Sequence, residues 1–170
     1  RGSRYVTRTE IISSRKRQRM ATSPGRLNST SPDGPTSAME GSLLLNTVTG
    51  SWCNLLRVRK SGVLSRHIHP SWVTGYVIKG AWRYLEHDWV ASEGSFVYEP
   101  PGEIHTLVVD EAAGGAPEMI TFFNIAGAMV YVDEQGNHTG YEDVFTKIQM
   151  CRKHYVACGL GEAYVDQFVR

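Results

Sequence analysis

Short β-type runs are the feature that most constrains the fold of this chain. From Leu43 onward, runs rich in Val, Ile, Tyr, Trp and Phe recur every eight to twelve residues, with Gly, Pro or Asp between them. This pattern predicts nine strands, over residues 43–48, 51–60, 63–69, 72–79, 81–90, 95–99, 104–109, 118–125 and 127–133. Many short strands without intervening helices favour a sandwich or a barrel, so we predict an all-β fold.

The C-terminal region has a different period. Val144, Ile148, Cys151 and Tyr155 are spaced by four, three and four residues, which is the apolar stripe of an amphipathic helix. Glu142 and Asp143 suit the first turn of such a helix. We therefore predict a C-terminal α-helix that packs on the β-domain.

Charge divides the chain into two unlike parts. Residues 1–36 carry eight basic and two acidic side chains, whereas residues 37–170 carry ten basic and fifteen acidic ones. The first part is also rich in Ser, Thr, Arg, Pro and Gly and lacks any apolar period, which is typical of a disordered tail. We predict a disordered basic tail over 1–36, a barrel over 37–140, and a C-terminal helix and tail over 141–170 that pack on the barrel.

The basic tail carries few other signals. Its run over residues 14–19 has no interleaved aromatic side chains for base stacking, so we expect a solvated tail rather than a nucleic-acid site. Met20 and Met39 offer alternative start sites, so the tail could be foreign to the native protein. The absence of an apolar signal core, together with three cysteines that cannot all pair, favours a cytoplasmic location.

Three histidines are the candidate metal ligands. His67 and His69 are two residues apart in a predicted strand, so that both imidazoles point to the same face. His105 follows a Pro-Pro-Gly turn at the start of another predicted strand. Three inward imidazoles in a small barrel could bind a divalent cation and leave positions open for a substrate.

These residues lie in a longer pattern. Gly62-x4-His67-x-His69, then Gly80, then Gly94-x5-Pro100-x-Gly102-x2-His105 resembles the paired motifs of the cupin superfamily. The resemblance implies a single cupin domain, a small double-stranded β-helix or jelly-roll barrel. The first motif usually has a Glu separated from its second His by three or four residues, and at these two positions this chain has Val73 and Thr74. The resemblance therefore implies a metal site of three histidines, His67, His69 and His105.

A narrower resemblance covers roughly residues 43–170. The stretch from Leu64 to Val109, together with the C-terminal segments 140–145 and 165–168, is similar to the 2,4'-dihydroxyacetophenone dioxygenase family. The family resemblance implies a non-haem Fe(II) cofactor, and Zn, Mn and Ni are the alternative metals. It also implies O2-dependent C–C bond cleavage in an aryl 2-hydroxyketone, giving an aromatic acid and formate.

Such a reaction needs a base, and two carboxylates are candidates. Glu99 lies six residues before His105 with the same strand parity, so we predict it as the catalytic group, although a role as an orienting residue or a fourth ligand stays open. Glu86 is the rival. Aromatic residues such as Trp52, Phe123 and Tyr131 are expected to fill the core, with one or two lining the pocket.

Two other functions fit the same three histidines. The first is a metal-binding sensor or regulatory cupin that holds zinc without turnover, and the second is a different cupin enzyme, such as an isomerase with Mn or Zn. The expected partners of the dioxygenase are a small aromatic hydroxyketone or diketone and O2. Exposed barrel edges favour a homodimer or homotetramer, and we expect no membrane and no nucleic-acid partner for the barrel.

Overall fold

A computed structural model describes residues 38–111 and 118–170. It contains eleven strands, one α-helix and a terminal 3-10 helix among these residues. The elements are β1 (Ala38–Asn46), β2 (Ser51–Val58), β3 (Gly62–Ile68), β4 (Val73–Lys79), β5 (Ala81–Tyr84), β6 (Ala91–Ser92), β7 (Phe96–Glu99), β8 (Ile104–Val109), β9 (Met119–Ile125), β10 (Ala128–Val132), β11 (His138–Asp143), α1 (Val144–Ala157) and the 3-10 helix (Glu162–Phe168).

The strands form two sheets. One sheet has the order β1-β2-β9-β4-β7, and the other has the order β11-β10-β3-β8-β5-β6. Every pairing between neighbouring strands is antiparallel. The prediction of an all-β fold with a C-terminal helix is therefore confirmed: the described chain is a mostly β, two-sheet structure with a C-terminal helix.

The core lies between the two sheets, as the burial pattern of β2 illustrates. Its residues alternate strictly between half-buried and buried, and the buried set is Trp52, Asn54, Leu56 and Val58. Because successive side chains in a strand point to opposite faces, this alternation turns one face of β2 inward. Asn54 is the one polar residue among these buried residues of β2, and it lines a cavity within the core.

The C-terminal helix closes one part of the core, as the sequence predicts. Asp143 caps α1, since its side chain accepts a hydrogen bond from the backbone N–H of Thr146 at 2.8 Å. The predicted stripe, Val144, Ile148, Cys151 and Tyr155, is buried. Burial of a large apolar side chain contributes about 1.5–3 kcal/mol, so the stripe is sufficient to hold the helix on the sheets.

The strand prediction differs from the structure over residues 81–90 and lacks two strands, β6 and β11. The run over 81–90 is not one strand, because β5 ends at Tyr84 and the carboxylate of Glu86 folds back to accept a hydrogen bond from the backbone N–H of Thr106. Strand β11 was not predicted. Its sequence lacks an apolar alternation because it lies at the edge of its sheet, where half of its residues are exposed and only Glu142 is buried.

The predicted disordered tail over 1–36 lies outside the described residues. Within the described ranges, no helix combines the length and the apolar character needed to cross a membrane.

Candidate metal centre

His67 and His105 face each other across two neighbouring strands. They are directly paired in the register of β3 and β8, and their Nε2 atoms are 3.1 Å apart. Both side chains are buried. The antiparallel pairing thus joins the two histidine motifs, which are 38 residues apart in the sequence.

His69 joins them from just beyond the end of β3. Its backbone carbonyl accepts a hydrogen bond from the N–H of Gly102 at 2.8 Å, which ties the Pro-Pro-Gly turn to the first motif. Its Nδ1 lies 3.2 Å from the carbonyl oxygen of Ala128. The candidate ligand atoms of the three histidines all lie within 4.8 Å of one another, so the group could hold a metal ion.

The three imidazoles are held in their neutral form. Burial lowers the pKa of His67 to about 4, and burial together with the neighbouring His67 lowers the pKa of His69 to about 3. The pKa of His105 is lowered further by burial and by the charges that the nearby histidines would carry. Neutral imidazole is the form that binds a metal ion.

Hydrogen bonds select the tautomer of two of these rings. A backbone carbonyl can only accept, so Nδ1 of His67 donates to the carbonyl of Ser65 at 3.1 Å, and Nδ1 of His69 donates to the carbonyl of Ala128. The lone pair of each ring is then on Nε2, which points toward the centre of the group. Such a carbonyl partner fixes the orientation of metal-ligating histidines.

The geometry of the group fits a divalent cation. Two nitrogen ligands at about 2.1 Å from a metal are about 3.0 Å apart at a right angle and about 3.4 Å apart at the tetrahedral angle. The separation of 3.1 Å between Nε2 of His67 and Nε2 of His105 falls in that range. These two nitrogens are therefore close enough to bind one metal ion together.

Glu99 lies beside the three histidines. It is 2% exposed, and its Oε2 is 3.5 Å from Nε2 of His69 and 3.4 Å from Nε2 of His105. Burial raises the pKa of Glu99 to about 7, against a hydrogen bond from Tyr84 that lowers it. The carboxylate comes from the end of β7, opposite Val73 of β4.

Tyr84 orients this carboxylate, and the sequence analysis did not assign it a role. Its hydroxyl donates a hydrogen bond to Oε1 of Glu99 at 2.6 Å, and its ring stacks on His105 with centroids 4.1 Å apart. Both contacts are buried. The only signal in the sequence was that Tyr84 is two residues after Trp82 in a predicted strand. This spacing places both side chains on the same, inward face, but it does not identify which residue Tyr84 contacts.

The rival carboxylate, Glu86, has a different environment. It binds Arg66 at 2.9 Å and accepts hydrogen bonds from the N–H and the hydroxyl of Thr106. It does not line the cavity beside the histidines. The structure therefore places Glu99, and not Glu86, next to His69 and His105.

A small cavity adjoins the candidate metal centre. Its volume is about 80 Å³, and side chains from both sheets and from α1 line it. The wall is mainly apolar and aromatic, while His67, His69 and Glu99 form one polar part of it. The lining residues are Trp52, Asn54, Leu56, Leu64, Ser65, His67, His69, Val73, Tyr84, Glu99, Leu107, Phe123, Ile125, Met129, Tyr131 and Lys147.

Lys147 is the second cavity residue that the sequence analysis missed. It comes from α1, is 2% exposed, and lines the same cavity as the histidines. A signal was present, because Lys147 is three residues after Val144 and four before Cys151. It therefore occupies the apolar stripe of the helix, where a lysine is exceptional.

Comparison with known proteins gives one family match. The model of the family described as the ChrR cupin-like domain matches residues 32–130. Comparison with the curated proteins gives no match.

Several solved structures are similar to this chain, and two of them are described as cupin or cupin-like proteins. An RmlC-like cupin protein from Ralstonia eutropha JMP134 is 32% identical, with a TM-score of 0.64, and the match covers 72% of this chain and 75% of that one. A second protein from the same organism, described by its cupin-like fold, is 21% identical with a TM-score of 0.67 and the same coverages of 72% and 75%. An acetylacetone dioxygenase from Acinetobacter johnsonii is 13% identical, with a TM-score of 0.65 and coverages of 89% and 99%.

Proposed function

We propose, from the premise that the chain belongs to the ChrR cupin-like domain family, that it is a non-haem Fe(II)-dependent dioxygenase. Its substrate is an aryl 2-hydroxyketone similar to 2,4'-dihydroxyacetophenone. The observation that carries the proposal is a buried group of three neutral imidazoles with a buried carboxylate beside them, where two of the imidazoles, His67 and His69, and the carboxylate line a small, mainly apolar cavity. The similarity in fold to an acetylacetone dioxygenase supports the class of reaction.

The proposed reaction is balanced in atoms and electrons. O2 is the oxidant, and the C–C bond between the ketone carbon and the hydroxymethyl carbon breaks. Each of the two carbons gains one oxygen atom, so that the products are an aromatic carboxylic acid and formic acid. Fe(II) held by His67, His69 and His105 would supply the electrons that activate O2 and the Lewis acidity that acidifies the hydroxyketone.

The residues of the chain have separate tasks in this proposal. Glu99 accepts the proton that the hydroxyketone loses, since its Oε2 faces the histidine group while its Oε1 is held by Tyr84. The aromatic and aliphatic wall excludes water, which strengthens the electrostatic interactions within the site. Three neutral histidines add no negative charge, so the site favours a substrate that is bound as an anion.

The proposal is tested by oxygen consumption. The protein is purified without oxygen, its metal content is measured, and O2 uptake is followed with 2,4'-dihydroxyacetophenone after loading with Fe(II). With ¹⁸O2 we expect one labelled oxygen in each product, measured by mass spectrometry. No uptake with hydroxyketones or β-diketones, together with tightly held zinc, would contradict the proposal.

One observation favours a second function, a zinc-binding sensor. Oε2 of Glu99 is 3.4–3.5 Å from two imidazole nitrogens, which is the spacing of two ligands on one tetrahedral metal ion. Three histidines and a carboxylate would then fill all four positions of a zinc ion, leaving none for a substrate. Glu99 distinguishes the two functions, because it is a base in one and a ligand in the other.

Glu99→Gln is the variant that separates these roles. If Glu99 is the base, we expect the variant to retain iron and to lose about 100-fold or more in kcat, since general-base catalysis contributes 10²–10⁴-fold. The measurements are metal content and O2 uptake on the same sample. Loss of the metal would assign Glu99 as a ligand, and an unchanged kcat would remove its assignment as the base.

A further inference from the structure

The outer face of the five-stranded sheet is apolar. Strands β2, β9, β4 and β7 are neighbours in this sheet, and the buried residues of each point into the core. On the opposite face, four large apolar side chains are 38–44% exposed, namely Tyr76 and Ile78 of β4 and Phe96 and Tyr98 of β7. An antiparallel sheet with a solvated face normally has polar residues there. We call the half-buried and exposed residues of these four strands the aromatic face.

Strand register makes the centre of the aromatic face continuous. One row of directly paired residues crosses β7, β4, β9 and β2, and it consists of Phe96, Tyr76, Phe122 and Leu55. Directly opposed residues on one face of a sheet have Cβ atoms about 5 Å apart, so neighbouring side chains in the row are within contact distance. The row is therefore one apolar patch and not a set of scattered exposed residues.

Charged side chains lie at one end of the aromatic face and are already paired. Of its members, Arg57 and Lys79 alone are charged, and both are in register with Ile120 of β9. The carboxylate of Glu118 binds both of them. Two copies of the face brought together therefore set little net charge against each other, so like-charge repulsion is small.

The outer side of the second sheet has the composition that suits contact with water. It carries two ion pairs, Arg66 with Glu86 at 2.9 Å and Arg83 with Asp110 at 2.7 Å. The aromatic face lacks such pairs across its central row, where all four residues are apolar or aromatic. A contiguous exposed apolar patch of this kind marks an interaction surface.

The area of the aromatic face is that of a protein interface. Four strands spaced by about 4.8 Å, with a rise of about 3.3 Å per residue over the seven residues of β4 and β9, give a face of roughly 19 by 23 Å. The protruding side chains make its accessible area larger than this projection. A specific interface buries at least about 500 Å² of each partner, which the face can supply.

The parts of the chain outside the described residues suit this face poorly. Residues 1–36 carry eight basic and two acidic side chains, whereas the carboxylate beside the face, Glu118, is bound within its own sheet. Residues 112–117 are three alanines, two glycines and a proline, which are too small to cover four strands. A second copy of the chain supplies an apolar surface of the same size, and a twofold axis sets the two surfaces against each other.

We propose that the aromatic face is the interface of a homodimer, packed against the same face of a second copy of the chain. The inference concerns assembly and is independent of the reaction proposed above. It places the contact on a sheet face and not at an exposed barrel edge. Because Phe96 and Tyr98 alternate with the inward residues of β7, the dimer covers the outer side of the strand that carries Glu99.

Analytical ultracentrifugation of the full chain tests the inference. We expect a dimer of twice 18.9 kDa at micromolar concentration. Tyr76→Glu, in the central row, would bury an unpaired carboxylate from each copy in the interface, so we expect the Kd of the dimer to rise by at least about 100-fold. Phe96→Glu should act in the same way from the neighbouring strand. Far-UV circular dichroism verifies that each variant is folded.

Tyr141→Glu is the matched control. Tyr141 is 54% exposed on β11 of the other sheet, so the same substitution there should leave the Kd unchanged. A monomer at micromolar concentration would overturn the inference. Variants at Tyr76 and Phe96 that dissociate no more readily than Tyr141→Glu would overturn it as well.

Alkylation of two native cysteines locates the interface without any variant. Cys53 is a half-buried member of the aromatic face, whereas Cys158 is exposed at the end of α1. We expect the alkylation rate of Cys53, relative to that of Cys158, to rise when the dimer is diluted into monomers. A relative rate that is the same in dimer and monomer would show that the dimer forms through another surface, and the inference would be wrong.

Discussion

Replacing His105 by alanine is expected to lower the affinity of the protein for a divalent metal by about 1000-fold. Structural metal sites with four ligands bind with about 10–16 kcal/mol, so that one ligand accounts for roughly 3–4 kcal/mol, or two to three orders of magnitude. His105 is 1% exposed and lies 3.1 Å from His67, so no water-exposed side chain can take its place. The metal content after dialysis, measured by mass spectrometry, should fall from about one ion per chain to below 0.1.

The fold should survive this substitution. The core of the two sheets does not depend on His105, and the far-UV circular dichroism of the variant should match that of the unaltered protein. Added metal should raise the Tm of the unaltered protein but not that of the variant, because only a bound ligand stabilises the folded state. His138→Ala is the control, since His138 is exposed in β11 and outside the histidine group. Unchanged metal content in His105→Ala would show that the ligand set is wrong.

The histidine group was predictable in part from local geometry. Two histidines with one residue between them share a face of any strand, and this holds for His67 and His69 whatever surrounds them. The direct pairing of His67 with His105 was not predictable from periodicity, because the register of β3 and β8 depends on a bulge between Val63 and Arg66. A one-residue shift in that register would turn His105 to the opposite face of the sheet from His67.

The carboxylate beside the histidines shows a second limit of sequence reasoning. The usual position for a glutamate in the first motif is occupied here by Val73 and Thr74, so that motif supplies no carboxylate, and only strand parity pointed to Glu99 in the second motif. In the structure Val73 pairs with Glu99 across β4 and β7, so a carboxylate reaches the same region from the neighbouring strand. Such a relocation follows from strand pairing, which single-sequence patterns do not give.

Lys147 was hidden for a different reason. Its position in the stripe of α1 was visible, but a charged residue at an apolar position is more often an exposed exception than a buried group. What keeps Lys147 inside is Glu142, and these two residues belong to different elements, α1 and β11. Because β11 was not predicted as a strand, its carboxylate could not be placed under the helix.

Gly80→Ala is expected to destabilise the protein by about 2–5 kcal/mol, the largest loss of stability that we predict for one added methyl group. Gly80 connects β4 to β5 with a φ of 75°, a conformation that costs an L-residue roughly 1–2 kcal/mol. A Cβ atom at this position would also lie 2.3 Å from the carbonyl oxygen of Glu118. A backbone atom cannot rotate away as a flexible side chain can, so this overlap adds about 1–3 kcal/mol.

Gly94→Ala separates the two costs. Gly94 has a similar φ of 85°, in the turn between β6 and β7, but an added Cβ would meet nothing within 4 Å. We therefore expect it to lose only the conformational cost of about 1–2 kcal/mol, measured for both variants as the free energy of unfolding in urea. The surroundings of Glu118 add a second reason to expect a larger loss at Gly80. Glu118 leads into β9, and its carboxylate is bound by Arg57 on β2 and by Lys79 on β4. A backbone shift at Glu118 disturbs the contacts of three strands, whereas a shift at Gly94 disturbs one turn, so equal losses in the two variants would contradict the packing described for Gly80.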